Sequence, residues 1–157
     1  MKAPILITGG ATRLGLALTE YYLKLERRVV ITYRTKYQSI ENLKKKGVQC
    51  YYADFSSGEG IKLATKTLVS ALPALSGIIH NASSWRDDVD NDQYDELLID
   101  MMRVHVSAPR QITFALEPAL KKEKNPFVIS IADHVGTRGS ASHTAYAASK
   151  AALINLS

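Results

Sequence analysis

Residues 4–15 read PILITGGATRLG, and the order of residue types in this stretch decides the fold. The apolar run at residues 4–8 predicts a short buried strand, and two glycines follow it directly. From residue 14 to residue 25 the apolar residues recur at helical spacing. The side chains expected on the buried side of this helix are Leu14, Leu18, Tyr21, Tyr22 and Leu25. The stretch therefore predicts a strand, a tight glycine turn and a helix.

The same alternation of strand and helix signals continues along the chain. Further strands are predicted at residues 29–33, 48–52, 77–80 and 127–132, with helices up to Gly47, at 60–72, at 92–120 with an interruption only at Pro109, and from Ala145 onward. Strands that are apolar on both faces and separated by helices form a parallel sheet. We therefore predict one domain over residues 1–157, a doubly wound, Rossmann-like α/β fold with helices on both faces. Because the sequence stops inside its last helix, we expect the natural protein to continue.

The composition is that of an ordinary globular domain. The chain has 157 residues, of which 46% are hydrophobic and 22% charged. Its apolar runs are too short to cross a bilayer, and its N-terminus lacks the pattern of a signal peptide. The single cysteine, Cys50, has no partner for an internal disulfide, and its apolar surroundings favour a buried structural thiol. We expect a cytoplasmic protein that does not bind membranes.

The net charge of +5 narrows the range of partners. The two lysine clusters, Lys44–Lys46 and Lys121 with Lys122 and Lys124, fall at predicted helix ends, where cations interact well with the helix dipole. No aromatic residues alternate with these lysines, so we expect no nucleic-acid partner, whereas an anionic small ligand would benefit from the charge. The four histidines do not have the spacing of metal ligands, so no metal site is expected.

The glycine turn is a candidate phosphate-binding loop. Gly9 and Gly10 follow the first strand and Gly15 lies in the first turn of the helix, so the backbone can approach a pyrophosphate at the helix N-terminus. Gly9, Arg13 and Leu14 are candidate cofactor-binding residues. The alternative is a tight turn that uses glycine only for its conformation.

The end of the second strand bears on the type of nucleotide. A carboxylate there binds a free ribose 2′-hydroxyl, whereas an arginine accommodates a 2′-phosphate. The chain has Arg34 and Thr35 at this point and no carboxylate, which favours NADPH or NADP over NADH. Asp54, just after the third strand, is expected to contact the adenine. The alternatives are that Arg34 is an ordinary exposed arginine and that Asp54 is simply a turn residue.

Tyr146 and Lys150, in the segment YAASK, lie four residues apart and so share one face of a helix. An ammonium group beside a phenol lowers the pKa of the phenol and can hold a ribose, while the phenol donates a proton. Such spacing arises easily by chance. Its position after the fifth strand of a nucleotide-binding fold makes it informative.

Together, TGGATRLG at 8–15, Asp54, HNASSW at 80–85 and YAASK at 146–150 resemble the short-chain dehydrogenase/reductase family over the whole chain. The resemblance implies NAD(P)(H)-dependent reduction, with Tyr146 as the proton donor and Lys150 bound to the nicotinamide ribose. It also implies that Asn81 and Ser83 lie at the cofactor, and that the full protein is a homodimer or homotetramer.

Three departures from the common family pattern are informative. Arg13 replaces the middle glycine, Ser83 ends a run that usually reads Asn-Asn-Ala-Gly, and Asp133 replaces the serine thirteen residues before the tyrosine. This combination resembles the pteridine reductase branch. The branch implies reduction of a 7,8-dihydropterin such as dihydromonapterin, with dihydrofolate as a further substrate. It implies substrate contacts by Arg13, Ser83, Trp85 and Tyr146, and proton supply by Asp133.

Two other functions remain open. A reductase of carbonyl substrates, such as a 3-oxoacyl thioester or a sugar, would use the same cofactor, but Asp133 would repel the oxyanion that forms. A nucleotide-binding module without catalysis is the second alternative. It is kept open by the end of the sequence at Ser157 and by His105, which replaces the asparagine that organises the proton relay in most of the family. His105 could still hold a water in that place.

Overall fold

The computed structural model describes residues 2–157 and contains a parallel five-stranded sheet. The strands are β1 (Ile5–Ile7), β2 (Val29–Tyr33), β3 (Gln49–Tyr52), β4 (Gly77–His80) and β5 (Phe127–Ser130), in the order β3-β2-β1-β4-β5. The predicted strands are confirmed to within two residues at each end. The strand order reverses between β1 and β4. Loops that leave neighbouring strands at such a point diverge and open a crevice at the carboxyl edge of the sheet.

Helices cover both faces of the sheet, as the sequence predicts. They are α1 (Arg13–Lys24), α2 (Gln38–Lys45), α3 (Gly58–Ala71), α4 (Asn91–Met102), α5 (Ala108–Leu120), α6 (Val135–Arg138) and α7 (Thr144–Leu156). Alternate strand residues point to opposite faces. Ile5 and Ile7 therefore pack into the cluster that contains α2 and borders α1, whereas Leu6 packs into the cluster formed with α3 and α5.

β5 departs from the prediction that every strand is covered on both faces. Val128 and Ile129 are 45% and 43% exposed, whereas every residue of β1 is fully buried. Within the described residues β5 is an edge strand that pairs only with β4. Its apolar side chains consequently lack the covering that the inner strands have.

The apolar side predicted for α1 is buried only in part. Leu18 and Tyr22 are half-buried and pack against the cluster that contains Ile5 and Ile7. Leu14, Tyr21 and Leu25 are 50%, 57% and 53% exposed, and the buried residues of the helix are Gly15 and Thr19. The Thr19 hydroxyl oxygen lies 2.8 Å from the Gly15 carbonyl oxygen and 3.1 Å from that of Gly10, so α1 approaches the glycine turn closely. A close approach requires small residues at the contact, and a count of apolar residues does not detect them.

The long helical pattern changes geometry one turn before Pro109. Arg103–Ser107 forms a π-helical turn, and the Ala108 N–H bonds the Arg103 carbonyl five residues back. Proline has no N–H and its ring clashes with the carbonyl four residues earlier, here that of His105. A wider turn lets the helix continue past the proline. It also carries His105, which is 1% exposed, into the interior.

No helix among the described residues is both long and apolar enough to cross a membrane. Cys50 is half-buried rather than buried, and burial raises the pKa of its thiol, which fits a structural role. Lys44 and Lys45 occupy the last turn of α2, where a helix end was predicted.

Gly47 ends the α2 region with a φ of +83°, and an added Cβ would meet no atom within 4 Å. Gly47→Ala should lower the free energy of unfolding by about 1 kcal/mol, purely through the left-handed backbone. Urea denaturation measures this loss. Gly58→Ala is the control, because Gly58 also has open space but no positive φ, and it should be neutral or slightly stabilising. Equal losses in the two variants would contradict the conformational cause.

Candidate active site

A cavity of about 740 Å³ opens at the carboxyl edge of the sheet, where the strand order reverses. Its lining residues come from the segments that follow all five strands, and from α4, the π-helical turn and α7. All but one of the predicted site residues line it. They are Gly9, Arg13, Leu14, Arg34, Thr35, Asn81, Ser83, Trp85, Asp133, Tyr146 and Lys150. The exception is Asp54.

Hydrogen bonds tie the ends of β1 and β4 together at the floor of the cavity. The Thr8 hydroxyl oxygen accepts from the backbone N–H groups of Asn81 and Ala82, each at 3.0 Å. The Asn81 side chain donates to the carbonyl oxygens of Thr8 and Gly9, at 3.0 and 3.1 Å. Asn81 therefore braces the glycine turn in addition to lining the cavity.

The glycine turn forms a cradle that side chains would fill. Gly9 has a φ of +66°, and a Cβ there would lie 3.0 Å from the Ala82 Cα. A Cβ on Gly15 would overlap the Gly9 carbonyl and crowd the Asn81 amide. The turn thus brings bare backbone and the N-terminus of α1 to the cavity wall. This is the arrangement that a pyrophosphate requires.

Arg13 lies in this turn with a left-handed backbone, at a φ of +48°. Glycine adopts that conformation freely, whereas a residue with a Cβ is destabilised by roughly 1–2 kcal/mol. Arg13 is exposed and lines the cavity. Strain of this kind is typical of functional sites. The arginine side chain, rather than the backbone conformation, therefore explains why this residue occupies the turn.

The segments after β2 and after β3 both line the cavity, but Asp54 itself does not. Arg34 and Thr35 line it, as predicted. Asp54 instead serves a turn, because its carboxylate accepts the N–H and the hydroxyl of Ser56 at 3.0 and 2.8 Å. Burial alone would raise the pKa of Asp54, but these hydrogen bonds and the charge of Arg34 lower it. The contact between Asp54 and an adenine stays a prediction.

Asp133 accepts hydrogen bonds both from the backbone and from the Tyr146 phenol. One carboxylate oxygen accepts the Val135 N–H at 3.1 Å, at the start of α6, and the other accepts the Tyr146 hydroxyl at 2.9 Å. Asp133 is therefore both a turn aspartate and the hydrogen-bond partner of Tyr146. The short helix α6, which was not predicted, follows directly from this turn.

The expected effect of Lys150 on the pKa of Tyr146 is wrong. Burial, together with the hydrogen bond to Asp133 and its charge, raises the pKa of Tyr146 to about 12. The Lys150 ammonium donates to the Ile131 carbonyl oxygen at 2.9 Å and lies 5.6 Å from the centre of the phenol ring. The Val135 N–H is the main cause that lowers the pKa of Asp133. At neutral pH the pair is therefore a protonated phenol and a carboxylate.

Trp85 forms an aromatic wall beside the phenol. Its ring centre lies 4.6 Å from that of Tyr146, edge to face, and 4.0 Å from that of His143. The indole is nevertheless 54% exposed, so one side remains available to the cavity. The contact between Trp85 and His143 was not predicted. His143 lies three residues before Tyr146 in the sequence, and this position could have indicated the contact.

Both ring nitrogens of His105, which could have held a water in place of the asparagine, have protein partners. Nε2 lies 2.9 Å from the Ser83 hydroxyl and 3.3 Å from the Ser84 backbone nitrogen. Nδ1 lies 2.8 Å from the Ser149 hydroxyl. Burial, and then the charge of Lys150, lowers the pKa of His105 to about 3. The imidazole is therefore neutral at ordinary pH.

The N-terminus of α7 is fixed by a residue that sequence analysis missed. The Asp88 carboxylate accepts the Thr144 N–H and hydroxyl at 2.7 and 2.8 Å, and the Ala145 N–H at 3.3 Å. A carboxylate at a helix N-terminus satisfies N–H groups that have no partner inside the helix. This contact orients the helix that carries Tyr146 and Lys150. Since 56 residues separate Asp88 from Thr144, no local pattern indicates it.

A family model described as short chain dehydrogenase matches residues 3–157. The chain belongs to this family. The short-chain dehydrogenase resemblance predicted from the sequence is thereby confirmed. Among the described residues, no three histidine, cysteine, aspartate or glutamate side chains are grouped so as to hold a metal ion.

The chain is similar to curated members of the short-chain dehydrogenase family. It is 45% identical over 157 residues to a dihydromonapterin reductase of Enterobacter sp. (strain 638), covering 99% of this chain and 65% of that protein. It is 42% identical over 155 residues to a dihydromonapterin reductase of Klebsiella pneumoniae, with coverages of 98% and 65%. The chain thus spans about 65% of the length of these relatives. These similarities agree with the resemblance to the pteridine reductase branch.

Solved structures of short-chain dehydrogenases share the fold. A short-chain dehydrogenase from Shigella flexneri, in complex with NADP, has a TM-score of 0.80 and 26% identity, covering 96% of this chain and 66% of that one. L-sorbose reductase from Gluconobacter frateurii, in complex with NADPH and L-sorbose, has a TM-score of 0.84 over 98% and 61% of the two chains. At 22% identity, the second similarity shows the fold alone.

The strained backbone of Arg13 gives a stability prediction. Arg13→Gly should raise the free energy of unfolding by up to about 1 kcal/mol, because glycine relieves the left-handed strain and only part of that gain is offset by its greater freedom in the unfolded chain. Ala17→Gly, at an exposed position of the same helix, is the control and should lower it by about 1 kcal/mol. Chemical denaturation of both variants decides the point, and a loss of stability in Arg13→Gly would show that the arginine side chain stabilises the turn.

Proposed function

We propose that this chain provides the cofactor site and the catalytic residues of an NADPH-dependent reductase that converts a 7,8-dihydropterin, such as dihydromonapterin, to its tetrahydro form. Dihydrofolate is proposed as a further substrate. The observation that carries the proposal is the 2.9 Å hydrogen bond from Tyr146 to Asp133 at the wall of the cavity. The dihydromonapterin reductases to which the chain is similar support the same substrate class.

The cavity residues suit a phosphorylated dinucleotide. The bare backbone of Gly9 and the N-terminus of α1 would face the pyrophosphate, and Arg34 with Thr35 would face a ribose 2′-phosphate. The Lys150 ammonium, held by the Ile131 carbonyl, would donate to the nicotinamide ribose. A bound NADPH would supply the hydride that the pterin takes up at C6.

Tyr146 is the proposed proton donor to N5 of the pterin. Its raised pKa keeps the phenol protonated until a base accepts the proton. Once the proton has left, the phenolate would lie beside the Asp133 carboxylate, which is unfavourable unless that carboxylate takes up a proton. Asp133 therefore has to be protonated during the reaction, and its contact with Tyr146 lets it return a proton directly to the phenol oxygen.

The substrate would bind in the part of the cavity that Trp85 borders. A flat heteroaromatic ring can stack on the exposed side of the indole, with the nicotinamide on its other side. Ser83 and Arg13, which also line the cavity, would contact the polar edge of the pterin and the cofactor.

The absorbance of NADPH tests the proposal. The protein should oxidise NADPH with 7,8-dihydropterins and fail with a panel of ketones, sugars and 3-oxoacyl thioesters. A carboxylate at position 133 would oppose the oxyanion that carbonyl reduction forms, which is the physical reason for this preference. Turnover of the carbonyl panel alone would replace the proposal with a carbonyl reductase, and binding without any turnover would replace it with a nucleotide-binding module.

Arg34 is expected to select the cofactor. Arg34→Asp removes a partner of the 2′-phosphate and adds a repulsive charge, so the affinity for NADPH should fall by about tenfold or more while that for NADH changes little. Fluorescence titration with both cofactors measures the difference. Lys36→Asp makes the same change of charge at an exposed residue two positions away that does not line the cavity, and it is the control. Equal losses for both cofactors would show that Arg34 does not bind the 2′-phosphate.

Asp133 is expected to limit the chemical step. Asp133→Asn preserves size but cannot supply a proton, so kcat for dihydropterin should fall by about 100-fold or more, with NADPH affinity retained. In the parent enzyme kcat should rise as the pH falls, because the lowered pKa of Asp133 leaves little of its acid form at neutral pH. Asp95→Asn, at an exposed site on α4, is the matched control. Parental turnover in Asp133→Asn would remove Asp133 from the mechanism.

A further inference from the structure

The contacts of His105 determine which of its ring nitrogens carries the proton. The Ser149 hydroxyl donates its single hydrogen to the Tyr146 carbonyl oxygen at 2.7 Å, so its oxygen can only accept from His105 Nδ1 at 2.8 Å. On the other side, the Ser84 backbone N–H can only donate, and it points to Nε2 at 3.3 Å. A neutral imidazole has one donor and one acceptor nitrogen. His105 is therefore the tautomer with hydrogen on Nδ1.

This tautomer fixes the direction of the hydrogen bond with Ser83. Since Nε2 has no hydrogen, the Ser83 hydroxyl donates to it over the 2.9 Å contact. The lone pairs of the Ser83 oxygen then remain for other partners. Ser83 is exposed and lines the cavity, so its oxygen is presented there as an acceptor.

The imidazole also joins two elements of the site. Ser149 lies on α7 between Tyr146 and Lys150, whereas Ser83 lies in the segment after β4. The ring spans the gap between them, and its face-to-edge contact with Tyr146, at 5.3 Å between centres, packs it under the phenol. An asparagine in this position is shorter than a histidine and has one amide, so it can reach one of the two sides.

We propose that His105 is a positioning residue that fixes the Ser83 hydroxyl as a hydrogen-bond acceptor for an N–H group of the ring bound in the cavity. The inference rests on the proposed function for the identity of that ring, a pterin, whose amino and ring N–H groups are donors. A ligand that offers only a carbonyl oxygen finds no hydrogen on Ser83, because His105 has already taken it. The His105–Ser83 pair thus favours N–H-bearing rings over carbonyl compounds.

Two substitutions distinguish the hydrogen bonds made by Nε2 of His105 from the one made by Nδ1. His105→Gln places an amide oxygen near the position of Nε2 and so retains an acceptor for Ser83 and Ser84. His105→Asn places an amide nitrogen near the position of Nδ1 and retains only the donor to Ser149. With dihydropterin, kcat/KM should stay within about threefold in His105→Gln and fall about tenfold in His105→Asn, chiefly through KM.

Ser83→Ala supplies the double-mutant cycle. It should lower kcat/KM about as much as His105→Asn, and adding His105→Asn to it should cause no further loss, because His105 acts through Ser83. Equal losses in the Gln and Asn variants, or losses that add in the double variant, would show that His105 contributes only packing and would overturn the proposal.

Nuclear magnetic resonance tests the tautomer without any turnover. In protein labelled with ¹⁵N-histidine, the signals of His105 are identified among the four histidines by their loss in His105→Gln. They should show a neutral ring with hydrogen on Nδ1, unchanged from about pH 5 to about pH 8. Hydrogen on Nε2, or a ring that titrates in this range, would overturn the proposal. If the tautomer is as expected but dihydropterin is not reduced, the proposed function fails while the direction of the Ser83 hydrogen bond stands.

Discussion

The hydrogen bond from the Tyr146 hydroxyl to the Asp133 carboxylate, 2.9 Å long, is the constraint on which the site depends. Its two ends come from different parts of the chain, and each end is fixed independently. Asp133 is held by the Val135 N–H, and α7 is held at its N-terminus by Asp88. Burial is the first cause of the raised pKa of the phenol, and the Val135 N–H is the first cause of the lowered pKa of the carboxylate. The bond between the two groups shifts both pKa values further in the same directions.

Much of the fold could be predicted from the sequence, because its signals are local. Continuous apolar runs bounded by glycine, proline or polar residues locate all five strands, and the alternation with helices implies a parallel sheet. The apolar side predicted for α1 is buried only in part, because small residues at Gly15 and Thr19 allow a close approach that hydrophobicity does not reveal. The π-helical turn before Pro109 depends on local backbone geometry that apolar spacing does not record.

The candidate site could likewise be predicted only in part. Eleven of its predicted residues line one cavity, because the carboxyl ends of parallel strands meet at one edge of the sheet. The contacts between them were not predictable in the same way. Asp88 reaches α7 from 56 residues away, and His105 acquires its partners only when α7 and the segment after β4 come together. The sequence indicated His105 only as a departure from a pattern, and the structure supplies its partners.

Arg13 and His105 both replace smaller residues of the common family pattern. Each replacement has an effect that can be seen in the structure. Arg13 adopts a backbone conformation that glycine would adopt without strain. His105 is a buried polar ring whose two nitrogens are both hydrogen-bonded, which is what burial of such a group requires. The two residues lie on opposite sides of Ser83 in the chain, and we propose that together with it they favour a pterin over a carbonyl substrate.

The ionisation of Tyr146 tests the central claim most directly. After a rapid pH jump, the absorbance of tyrosinate is measured in the protein and in its Tyr146→Phe variant. The difference between the two gives the titration of Tyr146, because the other seven of the eight tyrosines contribute equally to both. The pKa of Tyr146 should be about 12, and closer to the ordinary 10 when Asp133 is changed to Asn. A phenol that ionises at or below pH 10 in the unmodified protein would contradict the account, because Asp133 would then not be its hydrogen-bond partner.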